Sequence, residues 1–244
     1  MKLATRVLGY MATLGLLAAL SGTARADIVV PVFNSGTDLN TDTGNGFDPN
    51  SLTTDGGLSA SVPNGDTLAH AQSVTMPAPS GNFGDFWETN SNGGNYFDGN
   101  PTPVFVFDLG KDYAINNLLF WQNPIDPVNG NQARDFSLRF STDANGPNFS
   151  GAAAFSGTLS DVNSLPNGVN SAQTFAQSGN FDRYIEVTLN NNYYNMLNVG
   201  GDRVGLGKIR VDGLRSVPEP ATLTLSLLGG AGLLCYGRRR RARG

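Results

Sequence analysis

Short segments in which apolar and polar residues alternate run through most of the chain. The clearest is 133–140, where Phe136, Leu138 and Phe140 occupy every second position. Successive side chains of a β-strand point to opposite faces, so this pattern predicts a strand with one buried face. Similar segments, separated by turns rich in Asn, Gly and Ser, lie at 28–33, 104–110, 113–122, 181–189 and 204–211, with weaker ones at 58–62, 71–76, 152–159 and 173–176.

These strands predict an all-β fold, an antiparallel two-sheet β-sandwich. The pattern alone leaves jelly-roll, immunoglobulin-like and fibronectin-like topologies open. The range 27–215 is long enough for one domain that buries a core without disulfides. The only cysteine, Cys235, lies outside that range.

The first 26 residues have a different pattern. Lys2 and Arg6 precede an apolar run from Val7 to Leu20, and Ala24-Arg25-Ala26 follows as a small-x-small cleavage site. This order predicts a secretory signal peptide at 1–26. The partners it implies are the general secretion machinery and signal peptidase.

The last segment, 216–244, combines three features. A Pro-Glu-Pro triplet precedes an uncharged run at 221–237, and five arginines follow at 238–243. A bilayer-spanning helix needs about 20 apolar residues, so this run predicts a short, marginal transmembrane helix. The arginines should stay in the cytoplasm and leave the preceding domain outside.

This tail resembles the PEP-CTERM sorting signal of Gram-negative bacteria, with the motif at Val217, Pro218, Glu219 and Pro220. The resemblance implies processing by exosortase and an association with exopolysaccharide and biofilm matrix. It also implies export through the inner membrane. The tail would anchor the protein there only temporarily, before it reaches the cell surface or the extracellular space.

The domain between these ends is strongly acidic. Eight basic residues stand against nineteen acidic ones from Asp27 to Arg215, a net charge near −11. Such a surface as a whole repels nucleic acid and anionic lipid. Nucleic acid is therefore not an expected partner, whereas calcium is compatible with the charge.

The order of segments from Trp87 to Gly213 resembles the discoidin, or coagulation-factor type C, family of galactose-binding-like domains. The resemblance implies a jelly roll that binds ligands with loops at one end. In that family an acidic residue two places after a Gly-Leu pair helps to hold a structural calcium, but Lys208 stands there in this chain. The matching segments are 86–89, 106–111, 115–121, 136–145, 183–187 and 204–210.

Candidate residues for metal binding or catalysis are few. Asp38, Asn40 and Asp42 alternate as at the start of an EF-hand loop, but the sequence after them departs from that motif. They remain weak candidates for a structural calcium site or are simply part of a solvated loop. His70 is the only histidine, and no nucleophile or zinc motif accompanies it. We therefore expect no enzymatic activity.

Aromatic residues in polar loops are better candidates, because sugars stack on exposed rings and need hydrogen-bonding neighbours. Trp87 and Tyr96 lie in the early loops, and Tyr193 and Tyr194 in a late loop. We expect the tyrosine pair to be exposed, whereas Trp87 has a core position as its alternative. The predicted function is non-catalytic carbohydrate binding. The alternatives are a self-associating structural matrix protein and a secreted polysaccharide-active enzyme.

Overall fold

The computed structural model describes residues 25–78, 83–124, 129–166, 169–196 and 200–215. The predicted sorting tail, and the predicted signal peptide except its last two residues, lie outside these ranges. In the part of the chain that is described, no helix has the length and apolar character needed to cross a membrane.

Strands account for most of the regular structure in the described ranges. They are β1 (Ala26–Val29), β2 (Val32–Thr37), β3 (Trp87–Glu88), β4 (Val104–Gln122), β5 (Asp135–Ser141), β6 (Phe155–Thr158), β7 (Gln173–Ala176), β8 (Phe181–Leu189) and β9 (Gly205–Arg215). They form one sheet in the order β1-β9-β4-β8-β5-β6; β2 and β7 also pair with β4, and β3 pairs with β9. Every pairing between these strands is antiparallel, which confirms the predicted fold class.

The long strand β4 joins the two predicted layers. Its first half pairs with β2 and β8, and its second half pairs mainly with β7 and β9. Between the halves, residues 109–112 lie opposite the single residue Arg183 of β8, so the strand carries a large bulge. Gly110 has a φ of 80° in this bulge, a value that residues with a side chain rarely adopt. The predicted sandwich is therefore one curled sheet whose halves face each other.

The main core lies between these halves. On β5, Phe136 and Leu138 are buried as the alternation predicts, and Arg139 on the other face pairs with Glu186 at 2.6 Å. Burying each large apolar side chain contributes about 1.5–3 kcal/mol relative to exposure. Other members come from β4, β8 and β9: Phe105, Phe107, Leu118, Phe120, Ile185, Val187, Leu189, Leu206, Ile209 and Val211.

A second apolar cluster covers the outer face of β9 and of the second half of β4. It contains the short helix α1 (Leu68–Ser73), whose first turn is capped by Thr67 Oγ1 accepting from His70 N at 3.0 Å. The strand predicted at 71–76 is therefore wrong, because the capped helix occupies its first half. The segment 58–62 contains no strand either. The buried members of the cluster are Ile28, Phe47, Val62, Ala71, Val74, Met76, Phe86, Leu119 and Trp121.

Short 3-10 helices of three to five residues shape the remaining described loops. They lie at Thr43–Asn45, Pro49–Thr53, Phe83–Asp85, Asn129–Asn131, Asp143–Asn145 and Val162–Ser164.

Candidate ligand-binding site

The loops at one end of the curled sheet meet around Gly201. The Gly201 carbonyl oxygen accepts from Tyr96 N at 2.9 Å and from Asn192 Nδ2 at 2.7 Å. Gly201 N in turn donates to Asn131 Oδ1 at 2.5 Å. We call the described residues of 87–100, 129–134 and 190–204 the loop end. The fold thus brings the early and the late aromatic candidates into one region.

Three of the four aromatic candidates form the interior of the loop end. Trp87 and Tyr96 are fully buried, and Tyr193 is 9% exposed. The indole nitrogen of Trp87 donates to Thr41 Oγ1 at 2.9 Å, and the Tyr193 hydroxyl donates to Leu159 O at 2.5 Å. The predicted exposure of Tyr193 is wrong, because an internal carbonyl satisfies its hydroxyl and lets the ring pack inside.

Tyr194 is the aromatic candidate that stays only half-buried. Its ring lies against Gly201, where an added Cβ would come within 2.6 Å of the Tyr194 Cα and 2.7 Å of its ring. The next residues, Asn195 and Met196, are exposed. Arg134 lies beside Met196, with 2.6 Å between Nη1 and Sδ. The loop that carries this partly exposed ring therefore also presents the Asn195 amide and contacts the Arg134 guanidinium.

Arg134 also pairs with Asp135, which adds a carboxylate to this surface. The Nη2–Oδ2 distance is 2.6 Å, and about a quarter to a third of each side chain is exposed. The ion pair, together with a hydrogen bond from Thr158, holds the pKa of Asp135 below its usual value despite partial burial. Asp135 is therefore ionised at neutral pH and offers hydrogen-bond acceptors beside the donors of Arg134.

Beneath this surface lies a buried carboxyl group that the sequence did not single out as a binding residue. Glu88 is 2% exposed, and its Oε1 accepts from Asn131 Nδ2 at 2.9 Å and from Asn123 Nδ2 at 3.2 Å. Arg203 Nη1 lies 3.9 Å from Oε2. Burial raises the pKa of Glu88 to about 7, although these three neighbours favour the ionised form. The group stabilises the loop end from inside.

The weak calcium candidates are placed at the margin of this region. Asp38 and Asn40 are exposed and have positive φ values of 56° and 42°. Asp42 is buried, caps a 3-10 turn through Asn45, and pairs with Arg203 at 2.6 Å. In the described ranges, no three His, Cys, Asp or Glu side chains lie together as a metal site would require. Calcium binding at these residues stays a prediction.

Lys208, the residue that departs from the discoidin pattern, points into a site lined by oxygen atoms. Its ammonium group donates to Ser51 O at 2.6 Å, to Thr54 Oγ1 at 3.3 Å and to Asp85 O. The side chain is fully buried, and burial followed by the nearby Arg210 lowers the pKa of Lys208 to about 8. The positively charged ammonium group of Lys208 thus occupies this oxygen-lined position.

Sequence patterns gave no signal for the network that organises the loop end. Asn123, Asn131 and Asn192 look like any other asparagine in an Asn-rich chain, and Glu88 appeared as one of many acidic residues. Their roles come from long-range contacts, since Glu88 and Asn131 are 43 residues apart. Only the concentration of asparagines between segments indicated polar loops.

Comparison with known proteins identifies the tail. Residues 216–241 match the family described as the PEP-CTERM protein-sorting motif. The chain therefore carries a PEP-CTERM sorting signal, as predicted, which implies export, membrane anchoring and processing by exosortase. No curated protein sequence matches the chain.

Solved structures similar to the chain include several carbohydrate-binding domains. The lectin domain of lectinolysin complexed with Lewis B antigen has 15% identity and a TM-score of 0.43, covering 75% of this chain and 92% of its own. A Streptococcus pneumoniae fucose-binding module has 13% identity and a TM-score of 0.43, with 77% and 96% coverage. A putative chitobiase fragment from Bacteroides thetaiotaomicron has 19% identity and a TM-score of 0.40, with 55% and 72% coverage. All three TM-scores are below 0.5.

Proposed function

We propose that this protein is an exported, non-catalytic carbohydrate-binding protein whose loop end binds exopolysaccharide at the cell surface or in the extracellular matrix. The observation that carries the proposal is the half-buried ring of Tyr194, followed by the exposed Asn195, in a loop whose Met196 contacts Arg134 of the Arg134–Asp135 pair. Sugar rings stack their apolar faces on aromatic side chains, and their hydroxyl groups need both donors and acceptors. This surface supplies all three.

The buried network below the surface supports the same role. Asn131 and Asn192 fix Gly201, and Gly201 supports the Tyr194 ring. A ring that is held in place loses little side-chain entropy when a ligand stacks on it, so binding is stronger than on a mobile ring. The sequence resemblance to the discoidin family, which binds ligands with loops at one end, supports the same location.

A catalytic role finds less support in the geometry. Glycoside hydrolysis needs a carboxylic acid that is protonated near neutral pH and reaches the substrate. Glu88 meets the first condition, with its pKa near 7. Its side chain is only 3% exposed and is held by asparagine amides, so a substrate does not reach it in this conformation.

Binding of the purified protein to a polysaccharide array, followed by titration calorimetry on the best ligand, tests the proposal. Tyr194→Ala should weaken binding about tenfold, the size of a lost aromatic stacking contact. Phe181→Ala is the matched control, because Phe181 is an exposed aromatic at the other end of β8. No binding to any polysaccharide, together with self-association in sedimentation experiments, would instead favour a structural matrix protein.

A further inference from the structure

The end of the sheet opposite the loop end is where the chain continues into its sorting tail. Strand β9 begins at Gly205 in contact with the loop end and finishes at Arg215, so its 11 residues separate the two ends by roughly 35 Å. The sorting motif match begins at the next residue, 216. Strand β1 starts at the same end, because Ala26 pairs with Leu214.

This end exposes an unusual combination of side chains. A groove of about 480 Å³ is lined by residues that include Val32, Lys111, Tyr113 and Arg215. Val32 is 65% exposed, and Phe181, at the start of β8 and at the same end of the sheet, is 53% exposed. The Lys111 ammonium lies 5.4 Å from the centre of the Tyr113 ring. We call these five residues the tail face.

The tail face also carries the unpaired positive charge of the domain. Eight basic residues lie between Asp27 and Arg215. Lys111 and Arg215 have no carboxylate within ion-pair distance among the described residues, and both are on the tail face. The other six are paired with carboxylates or buried: Arg134, Arg139, Arg183, Arg203, Lys208 and Arg210.

Three acidic groups lie close to these two cations, and each has a partner. Asp112 follows Lys111 in the chain and accepts from Asp143 N at 2.7 Å. Asp27 lines the groove and lies 3.6 Å from Arg25 in the uncleaved chain; the predicted cleavage after Ala26 removes Arg25 and leaves the new α-amino group of Asp27 as the neighbouring cation. Asp108, also in the groove, accepts two hydrogen bonds from Arg183, at 2.7 and 2.8 Å. The carboxylates elsewhere on the acidic domain act weakly here, because salt screens charges beyond about 8 Å at physiological ionic strength.

We propose that the tail face rests on anionic phospholipid headgroups while the sorting tail holds the chain in the membrane. Lys111 and Arg215 contact lipid phosphates, and Val32, Tyr113 and Phe181 enter the interfacial layer. Cationic groups beside exposed apolar and aromatic side chains are the composition that favours this layer. The loop end then points away from the membrane, toward polysaccharide.

The tail makes this contact effective although only two cations take part. Five residues, 216–220, connect Arg215 to the apolar run, and they span at most about 20 Å when fully extended. A surface tethered so closely meets the lipid at a high effective concentration. The proposal depends on the tail inserting into a bilayer and is independent of carbohydrate binding at the loop end.

Hydrogen exchange on the full-length protein, reconstituted into vesicles, tests the tail face. On vesicles containing phosphatidylglycerol, amides of residues 109–113 and Val32 should exchange roughly tenfold more slowly than on vesicles of phosphatidylcholine alone. The added protection should disappear in 0.5 M salt (about a 4–5 Å screening length) because it depends on charge.

Two double variants with equal net charge separate a local contact from a general charge effect. Lys111→Gln with Arg215→Gln should lose the protection, and Arg134→Gln with Arg139→Gln, away from the tail face, should keep it. Equal protection on both kinds of vesicle, or protection that survives the tail-face substitutions, would overturn the proposal. Thermal unfolding of each variant verifies that all remain folded.

Discussion

Glu88 makes the stability of the loop end depend on pH in a direction opposite to most carboxylates. Its pKa is about 7 in the folded protein against 4.5 in the unfolded chain, because its carboxyl group is buried. Between these values the folded state binds more protons, so the free energy of unfolding falls as pH rises. The stabilisation is fully present below pH 4.5 and is lost as pH rises through 7.

The size of the effect follows from the shift. A difference of about 2.5 pKa units corresponds to roughly 3 kcal/mol at 1.36 kcal/mol per unit, an upper value for this buried group. Asp182 acts in the same direction, because burial and the charge of Asp112 raise its pKa. Carboxylates with lowered pKa values, such as Asp42 beside Arg203, lose their stabilising contribution only below about pH 4 and so act in a separate range.

Denaturant unfolding of the wild type and of Glu88→Gln at pH 5, 6, 7 and 8 measures this contribution. A glutamine keeps the oxygen that accepts from Asn123 and Asn131 but does not ionise. The free energies of unfolding of the two proteins should be most similar at pH 5. At pH 8 the free energy of unfolding of the variant should have risen relative to that of the wild type by up to about 3 kcal/mol. A difference that does not change with pH would refute the assignment of a raised pKa to Glu88.

Three substitutions test other contacts. Lys208→Met should lower the free energy of unfolding by about 2–4 kcal/mol, because two buried carbonyl oxygens and a hydroxyl lose their donor; a change below about 1 kcal/mol in denaturant unfolding would contradict this. Gly201 has a φ of 99° and lies against the Tyr194 backbone, so Gly201→Ala should lower the free energy of unfolding by about 1–3 kcal/mol and weaken polysaccharide binding. Wild-type affinity of this variant in calorimetry would show that binding does not need the loop conformation. Trp87→Phe removes the hydrogen bond to Thr41 and should lower the free energy of unfolding by about 1–2 kcal/mol while leaving the affinity for polysaccharide unchanged. A matching loss of affinity would instead place the indole in the binding site.

Sequence patterns predicted those parts of the fold whose periodicity is local. The alternation in β5 correctly predicted that Phe136 and Leu138 are buried, although Phe140 on the same face is only half-buried. The pattern in β8 left its buried face open, and residues on both of its faces are buried. The pattern divided β4 into two strands, since the bulge at 109–112 contains Gly110, Lys111 and Asp112 and resembles a turn. The same residues look alike in a turn between strands and in a bulge within one strand, so only pairing with β8 distinguishes them.

The candidate site was predictable as a region but not residue by residue. Loops rich in asparagine with interspersed aromatics indicated where polar groups and rings collect, and the structure places these loops at one end. Whether a given ring faces inward depends on distant partners, such as Leu159 for the Tyr193 hydroxyl. Tyr194, next to it in the chain, instead lies against Gly201, seven residues further along.

On the outer face of β9, the alternation of apolar and polar residues failed most clearly to predict which side chains are buried. Lys208, Arg210 and Asp212 take alternate positions, as polar residues facing solvent would, yet all three are buried. The covering loop has many main-chain carbonyl groups that strands of the sheet do not satisfy, and a buried carbonyl needs a donor. Lys208 and Arg210 donate hydrogen bonds to the backbone carbonyl groups of residues 51, 52, 54, 62 and 85. These bonds hold an irregular segment on the sheet, because apolar packing alone would leave its backbone carbonyl groups without donors. The charged side chains therefore satisfy the backbone carbonyl groups of this loop, as the hydrogen bonds between neighbouring strands satisfy those of a strand. They are buried because the segment above them is irregular and needs these donors.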